Sequence, residues 1–104
     1  MMNFIYEKNK VYVENEDGKN IILATFPKFN EDTVVINHTY VDPSLRGEGV
    51  ASKLMYATCE YIKKQGFKIV ATCPYAIVWF EKHHEYDDIV DLEVQLKLSP
   101  VCQR

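Results

Sequence analysis

Chemistry that suits an anion is concentrated near the middle of the chain. Arg46, Gly47 and Gly49 fall within the run Val41-Asp42-Pro43-Ser44-Leu45-Arg46-Gly47-Glu48-Gly49-Val50-Ala51-Ser52. Residues 33–41 before it read as a strand, and residues 45–65 read as a helix. The first turn of a helix carries backbone N–H groups with no intrahelical partner. Those donors, with the positive end of the helix dipole, favour phosphate oxygens. Gly47 and Gly49 let an anion come close to the backbone, and Arg46 adds a fixed charge and a forked donor. The plainer alternative is a helix start with incidental glycines. The order strand, Asp-Pro turn, Arg-Gly-x-Gly-Val-Ala and long amphipathic helix is more specific than that. It is not a P-loop, because no Gly-Lys-Ser/Thr follows. It is not the dinucleotide fingerprint, because the third glycine and a downstream ribose-binding acid are missing.

The second candidate is Cys73. It ends a predicted strand and precedes Pro74, a residue suited to the first position of a helix. A thiol at a helix N-terminus has its thiolate stabilised, and His38 on the neighbouring strand is a candidate base for it. The alternative is that Cys73 is a small buried residue and His38 a hydrogen-bonded core histidine. His83, His84 and Glu85 do not read as a metal site. Adjacent helical residues point about 100° apart and rarely ligate one ion together.

The elements that must position these residues follow from spacing. Residues 3–14 suggest two short strands joined near Asn9, and residues 15–20 a polar hairpin turn centred on Asp17-Gly18. Residues 21–26 read as a strand, interrupted by Pro27. In the 33–41 strand, period two places Val34, Ile36, His38 and Tyr40 on one face unless a bulge intervenes. The long helix buries a stripe of Val50, Ala51, Leu54, Met55, Thr58, Tyr61 and Ile62, with Cys59 as a small filler beside it. Lys63 and Lys64 suit its last turn and Gly66 its C-terminal cap. Residues 67–73 form a strand and residues 75–84 a short helix with Trp79 in the core. Tyr75 and Tyr86 either line the mouth of the site or cap the helix and turn, and Tyr86 is a spare proton donor if it folds back. Leu92, Val94, Leu96 and Leu98 alternate with polar residues, so the end reads as a half-exposed strand. The tail after Ser99 is expected to fray. The fold class is α+β: four strands, helix, strand, helix, strand, in a mostly antiparallel mixed sheet with a strand-helix-strand crossover and two main helices.

Composition excludes several classes. The 104 residues suffice for one domain with a small core. A net charge of -3 argues against a general nucleic-acid binder, although a local basic patch around Arg46, Lys53, Lys63, Lys64 and Lys68 remains open. No apolar run approaches the ~20 residues of a membrane helix, and the N-terminus has no signal-peptide pattern. No membrane partner and a cytoplasmic location are expected by default. The three cysteines, Cys59, Cys73 and Cys102, include no CxxC pair, so reduced thiols are expected rather than a disulfide framework or zinc.

Arg46, Gly49 and Ala51, preceded by Val41-Asp42-Pro43, resemble the pyrophosphate motif of the GNAT superfamily of acetyl-CoA-dependent N-acetyltransferases, Arg/Gln-x-x-Gly-x-Gly/Ala. The chain looks most like its short single-domain members, the YjdJ-like group, over roughly residues 21–90. The resemblance implies acetyl-CoA as the acetyl donor and an amine acceptor, with a protein or peptide amine as one candidate. It implies that Arg46, Gly47, Glu48, Gly49, Val50, Ala51 and Ser52 hold the pyrophosphate. Backbone groups of Thr39, Tyr40 and Val41 would face the acetyl carbonyl and the pantetheine amides. The strands before and after the long helix would splay into a wedge that admits the pantetheine arm.

The chain departs from the family pattern in two places. Members carry Asn-x-x-Ala-x-x-x-Tyr-Glu-Lys around the second helix, and the tyrosine protonates the leaving thiolate. Ala76, Glu81 and Lys82 match. The asparagine position is Cys73, and the tyrosine position, beside the cofactor, is Phe80, which cannot donate a proton. The helix pair that fuller members carry between their first two strands has no room between Tyr6 and Val11. The acceptor side is then expected to be open, which suits an exposed amine on a large partner. Two readings follow. One is an N-acetyltransferase in which Cys73 takes the acetyl group with help from His38. The other is a non-catalytic acetyl-CoA-binding or interaction module. The alternating last strand leaves an edge for a second copy, so a monomer or weak homodimer is expected.

Overall fold

The computed structural model describes residues 3–47 and 49–98. The elements are β1 (Ile5–Glu7), β2 (Lys10–Glu14), β3 (Asn20–Thr25), β4 (Thr33–Ile36), β5 (His38–Val41), a 3-10 turn (Pro43–Leu45), α1 (Val50–Gln65), β6 (Lys68–Ala71), α2 (Pro74–Lys82), a second 3-10 turn (Asp87–Ile89) and α3 (Leu92–Leu98). β1, β2, β3 and β5 form an antiparallel sheet in that order, and β4 pairs with β6 in parallel. The expected α+β class is the observed one.

The turns form where their residues allow. Asn9, at φ 65, turns β1 into β2, a conformation asparagine tolerates better than most residues. Its side-chain amide donates to the Phe26 carbonyl at 2.8 Å, and its own carbonyl accepts from Phe26 N–H at 3.0 Å. In the next hairpin Asn15 Oδ1 accepts from Asp17 and Lys19 N–H at 2.9 and 3.0 Å.

The expected single strand over residues 33–41 is broken. Thr25 opposes His38 in the ladder, yet its carbonyl also accepts from Asn37 N–H at 3.2 Å. Further along, Val35 N–H donates to the Pro27 carbonyl and Val34 bridges Lys28. The pairing therefore shifts by one residue between β5 and β4, which is a bulge. The bulge changes the parity. Val34, Ile36 and Val41 are buried, whereas His38 is exposed. The face expected to hold Val34, Ile36, His38 and Tyr40 together is thus split at Asn37.

α1 packs its apolar stripe on the sheet. Val50, Leu54, Met55, Thr58, Cys59 and Ile62 are buried, and Ala51 and Tyr61 are partly buried against them. Cys59 is fully enclosed, and burial pushes its thiol pKa well above the ordinary value. The helix ends at Gly66, φ 83, whose N–H bonds back to the last turn, the left-handed C-terminal cap that glycine favours.

The final segment is the one element of the wrong type. Residues 92–98, expected as a strand, form the helix α3. Asp91 caps it: its Oδ1 accepts from Val94 N–H at 3.2 Å and its carbonyl accepts from Gln95 N–H at 2.8 Å. Leu, Glu, Gln and Lys are also good helix formers. The outer edge of β6 is instead closed by a bridge from Ile69 to Val90 and by the Gln95 side-chain amide, which donates to Ala71 C=O at 2.8 Å and accepts from Ala71 N–H at 2.6 Å. The last strand, with the edge expected to pair with a second copy, is thus replaced by a helix. The expectations for the tail and for Cys102 lie outside the described residues.

Leu54 is fully enclosed between α1 and the sheet. Leu54→Ala is expected to cost about 3 kcal/mol through lost transfer energy and a residual cavity, read as a lower urea midpoint at unchanged slope.

Candidate functional site

The bulge and the crossover open the sheet between β5 and β6. The β4–β6 ladder ends at Ile36, whose carbonyl accepts from both Thr72 and Cys73 N–H, at 3.0 and 3.2 Å. Beyond that point β5 follows β3 while the segment after β6 turns into α2. Among the described residues the inner edge of β5 has no strand partner. Its phase is set by Asp42, whose N–H donates to Ile21 C=O at 2.8 Å. In an antiparallel ladder alternate residues face the partner strand, so Tyr40 faces β3. Thr39 and Val41 then turn their N–H and C=O groups toward the gap. Arg46 confirms the phase, since its Nε donates to Val41 C=O at 3.0 Å.

A cavity of about 380 Å³ occupies this opening. It is lined by Thr39 and Val41 from β5, Arg46 and Gly47 from the loop, Gly49, Val50, Ala51 and Ser52 at the start of α1, and Tyr75 in the first turn of α2. Gly49 is the N-cap of α1 at φ 73 and contributes no capping side chain. The first intrahelical bond near it runs from Lys53 N–H to Gly49 C=O at 3.1 Å. Among the described residues none accepts from the N–H groups of Val50, Ala51 or Ser52. The cavity thus receives the positive end of a sixteen-residue helix.

The loop is held by its own polar groups. Asp42 Oδ2 accepts from Ser44 N–H at 3.0 Å and from the Ser44 hydroxyl. These bonds, with smaller contributions from Tyr40 and Arg46, hold the Asp42 carboxyl below its ordinary pKa. Ser52 Oγ accepts from Trp79 Nε1 at 2.9 Å, which ties the start of α1 to α2.

Cys73 is the N-cap of α2 and is 7% exposed. Its Sγ lies 3.3 Å from the Oγ1 of Thr39, which lines the cavity. Desolvation, and secondarily the neighbouring Cys73, raise the Tyr75 pKa above its ordinary value.

The structure brings some of the expected site residues together and not others. Thr39, Val41, Arg46, Gly47, Gly49, Val50, Ala51 and Ser52 line one cavity. Glu48 lies outside the described residues. His38 is not brought to Cys73. It is exposed, and alternation along β5 puts it on the face opposite Thr39; the partner of Cys73 is Thr39. Tyr40 shares the His38 face, with its hydroxyl directed to Asp42 at 3.5 Å. Phe80 lines a different cavity, with Ile69, Val70, Ile77 and Val90, and its ring meets Trp79 edge-on at 5.3 Å. Tyr86 donates to Glu60 at 2.6 Å and is buried against α1, not at the gap. His83 stacks on Trp79 at 4.3 Å, whereas His84 pairs with Asp87 at 3.0 Å. The Thr39–Cys73 contact had no signal in the sequence, because its two residues are thirty-four positions apart.

A family model described as GCN5-related N-acetyl-transferase matches residues 10–89. The chain belongs to the GCN5-related N-acetyltransferase family. Its fold is similar to the solution structure of a GCN5-like protein from Staphylococcus aureus, with 28% identity, a TM-score of 0.71, and 86% of this chain and 87% of that one covered. It is also similar to Tetrahymena GCN5, with 17% identity, a TM-score of 0.58, and 70% and 48% covered. A GNAT acetyltransferase from Elizabethkingia anophelis, solved with acetyl-CoA bound, matches at 12% identity and a TM-score of 0.55, with 70% and 50% covered. The chain thus spans about half the length of those last two. No curated protein sequence matches it. Among the described residues, no helix is long and apolar enough to cross a membrane.

Gly49 tests the local geometry. A Cβ added there would meet no atom within 4 Å, so Gly49→Ala is opposed only by its positive φ. The expected cost is about 1 kcal/mol, or about 5 °C in melting temperature for a domain of this size.

Proposed function

We propose that this chain is an N-acetyltransferase that uses acetyl-CoA as donor and passes the acetyl group to an amine through Cys73. The observation that carries the proposal is the first turn of α1, without a side-chain cap and beside Arg46, facing a cavity lined by Thr39, whose Oγ1 lies 3.3 Å from Cys73 Sγ. Arg46 and the N–H groups at the start of α1 would hold the pyrophosphate. The outward amides of Thr39 and Val41 would meet the amides of the pantetheine arm, and the acetyl thioester would then reach Cys73.

In the first step Cys73 Sγ bonds to the acetyl carbonyl carbon, the carbon–sulfur bond to CoA breaks, and the thiol proton of Cys73 ends on the CoA sulfur. In the second step the amine attacks the acetyl-cysteine, the new carbon–sulfur bond breaks, and a proton from the amine restores the thiol. The Thr39 hydroxyl is placed to accept from or donate to Sγ during both steps. His38, on the other face of β5, takes no direct part in this scheme. The acceptor is read as an exposed amine on a protein or peptide, because β1 and β2 are joined directly at Lys8 and Asn9 with no helices between them.

A second reading is a non-catalytic acetyl-CoA-binding module. Phe80 favours it: it stands at the family's proton-donor tyrosine and lines a different cavity. Two measurements separate the readings. Acetyl-CoA at a hundredfold its Kd adds about 2.7 kcal/mol to the folded state, so the melting temperature is expected to rise by about 10 °C, and less in Arg46→Ala. Intact-protein mass after incubation should show one acetyl group on wild type and none on Cys73→Ala. A thermal shift without any acetylation or turnover would support the binding module. Equal labelling of wild type and Cys73→Ala would remove Cys73 from the mechanism.

A further inference from the structure

Trp79 is buried, yet its one polar atom has a specific partner: Nε1 donates to Ser52 Oγ at 2.9 Å. An indole N–H can only donate, whereas a hydroxyl both accepts and donates. Trp79 therefore occupies the acceptor side of Ser52 and leaves its proton to be given elsewhere. Ser52 is the third residue of α1 and lines the cavity that receives the open end of that helix.

The indole cannot turn away. His83 stacks on it at 4.3 Å with planes 9° apart, Tyr56 meets it edge-on at 5.1 Å, and Phe80 meets it edge-on at 5.3 Å. The carbonyl of Trp79 accepts from His83 Nδ1 at 3.0 Å, so the stacking ring is itself anchored. α2 thus presents a rigid donor to a rotatable hydroxyl on α1.

We propose that Trp79 is a positioning residue that aims the Ser52 hydroxyl proton into the cavity, where Ser52 donates to a phosphate oxygen of the bound donor. This rests on the reading of the cavity as the pyrophosphate site. It adds a side-chain donor to the backbone groups at the start of α1. A donor whose own acceptor site is filled is polarised and gives a stronger hydrogen bond. It also makes the packing of α2, which carries Cys73 at its cap, depend on the same bond that shapes the phosphate site.

The test compares CoA with free pantetheine, which has the same arm and no phosphate. Ligand-induced amide shifts in NMR suit a 12.1 kDa chain and reach millimolar affinities. Ser52→Ala should weaken CoA about tenfold, the loss of one charge-assisted hydrogen bond, and leave pantetheine unchanged. Trp79→Phe keeps a ring for His83 and Tyr56 to pack on. It should weaken CoA about fivefold in the Ser52 background and add nothing to Ser52→Ala in the double variant, since Trp79 acts through Ser52. A merely structural Trp79 would weaken both ligands, with Ser52 present or absent, and that result would overturn the proposal. So would a Ser52→Ala variant that binds CoA as wild type does. Wild type that shows no CoA shifts at all would overturn the reading of the cavity and this inference together.

Discussion

The site exists because a strand carries one residue too many. Asn37 and His38 both answer to Thr25, and the extra residue ends the alignment between β5 and β4. A regular strand over 33–41 would run on beside β6 and close the sheet with backbone hydrogen bonds. Instead the Ile36 carbonyl takes both Thr72 and Cys73 N–H and finishes that ladder. Backbone polar groups must be paired or wet, so the inner edge of β5 is a surface that water or a ligand with amides has to satisfy.

The open helix end depends on the same split. α1 begins after Gly49 with no side-chain cap, a choice that gives up only a few tenths of a kcal/mol of helix stability. The compensation comes from the apolar stripe of Val50, Leu54, Met55, Cys59 and Ile62, which packs α1 on the sheet however its first turn is treated. The overall charge of -3 does not by itself oppose an anion there, because Arg46 and the N-terminal end of α1 line the cavity. More distant charges are screened within about 10 Å in ordinary buffers.

The aromatic cluster behind the site links it to the crossover. Tyr56, Trp79, His83 and Tyr86 pack between α1 and α2, and Tyr56 and Tyr86 each end on a carboxylate, Glu85 and Glu60 respectively, at 2.6 Å. These phenols satisfy their polar tips at the edge of an apolar layer. The result fixes α2, and with it Cys73, relative to the start of α1. On the far side of β6 the Gln95 amide takes the place of a neighbouring strand, presenting one donor and one acceptor to Ala71.

The sequence by itself determined the elements whose residues act locally. The Arg46 to Ser52 motif, the stripe and caps of α1, the Asp17-Gly18 hairpin and Pro74 at the start of α2 each report a constraint within a few positions. The α+β class and the residues around the helix start were legible for that reason. Tertiary structure decided the rest. Alternation read residues 92–98 as a strand, but the Asp91 cap and the Gln95 bond to Ala71, a residue distant in sequence, fix the segment as a helix against its pattern. The pairing of Cys73 with Thr39 rather than His38 turned on a one-residue bulge that inverts every side chain after it. Phe80 matched the family tyrosine in spacing, yet its ring points to the cavity between α2 and β6. Period and motif say which residues share an element. Which faces of two elements meet depends on register, and register is set by contacts between residues far apart in the chain.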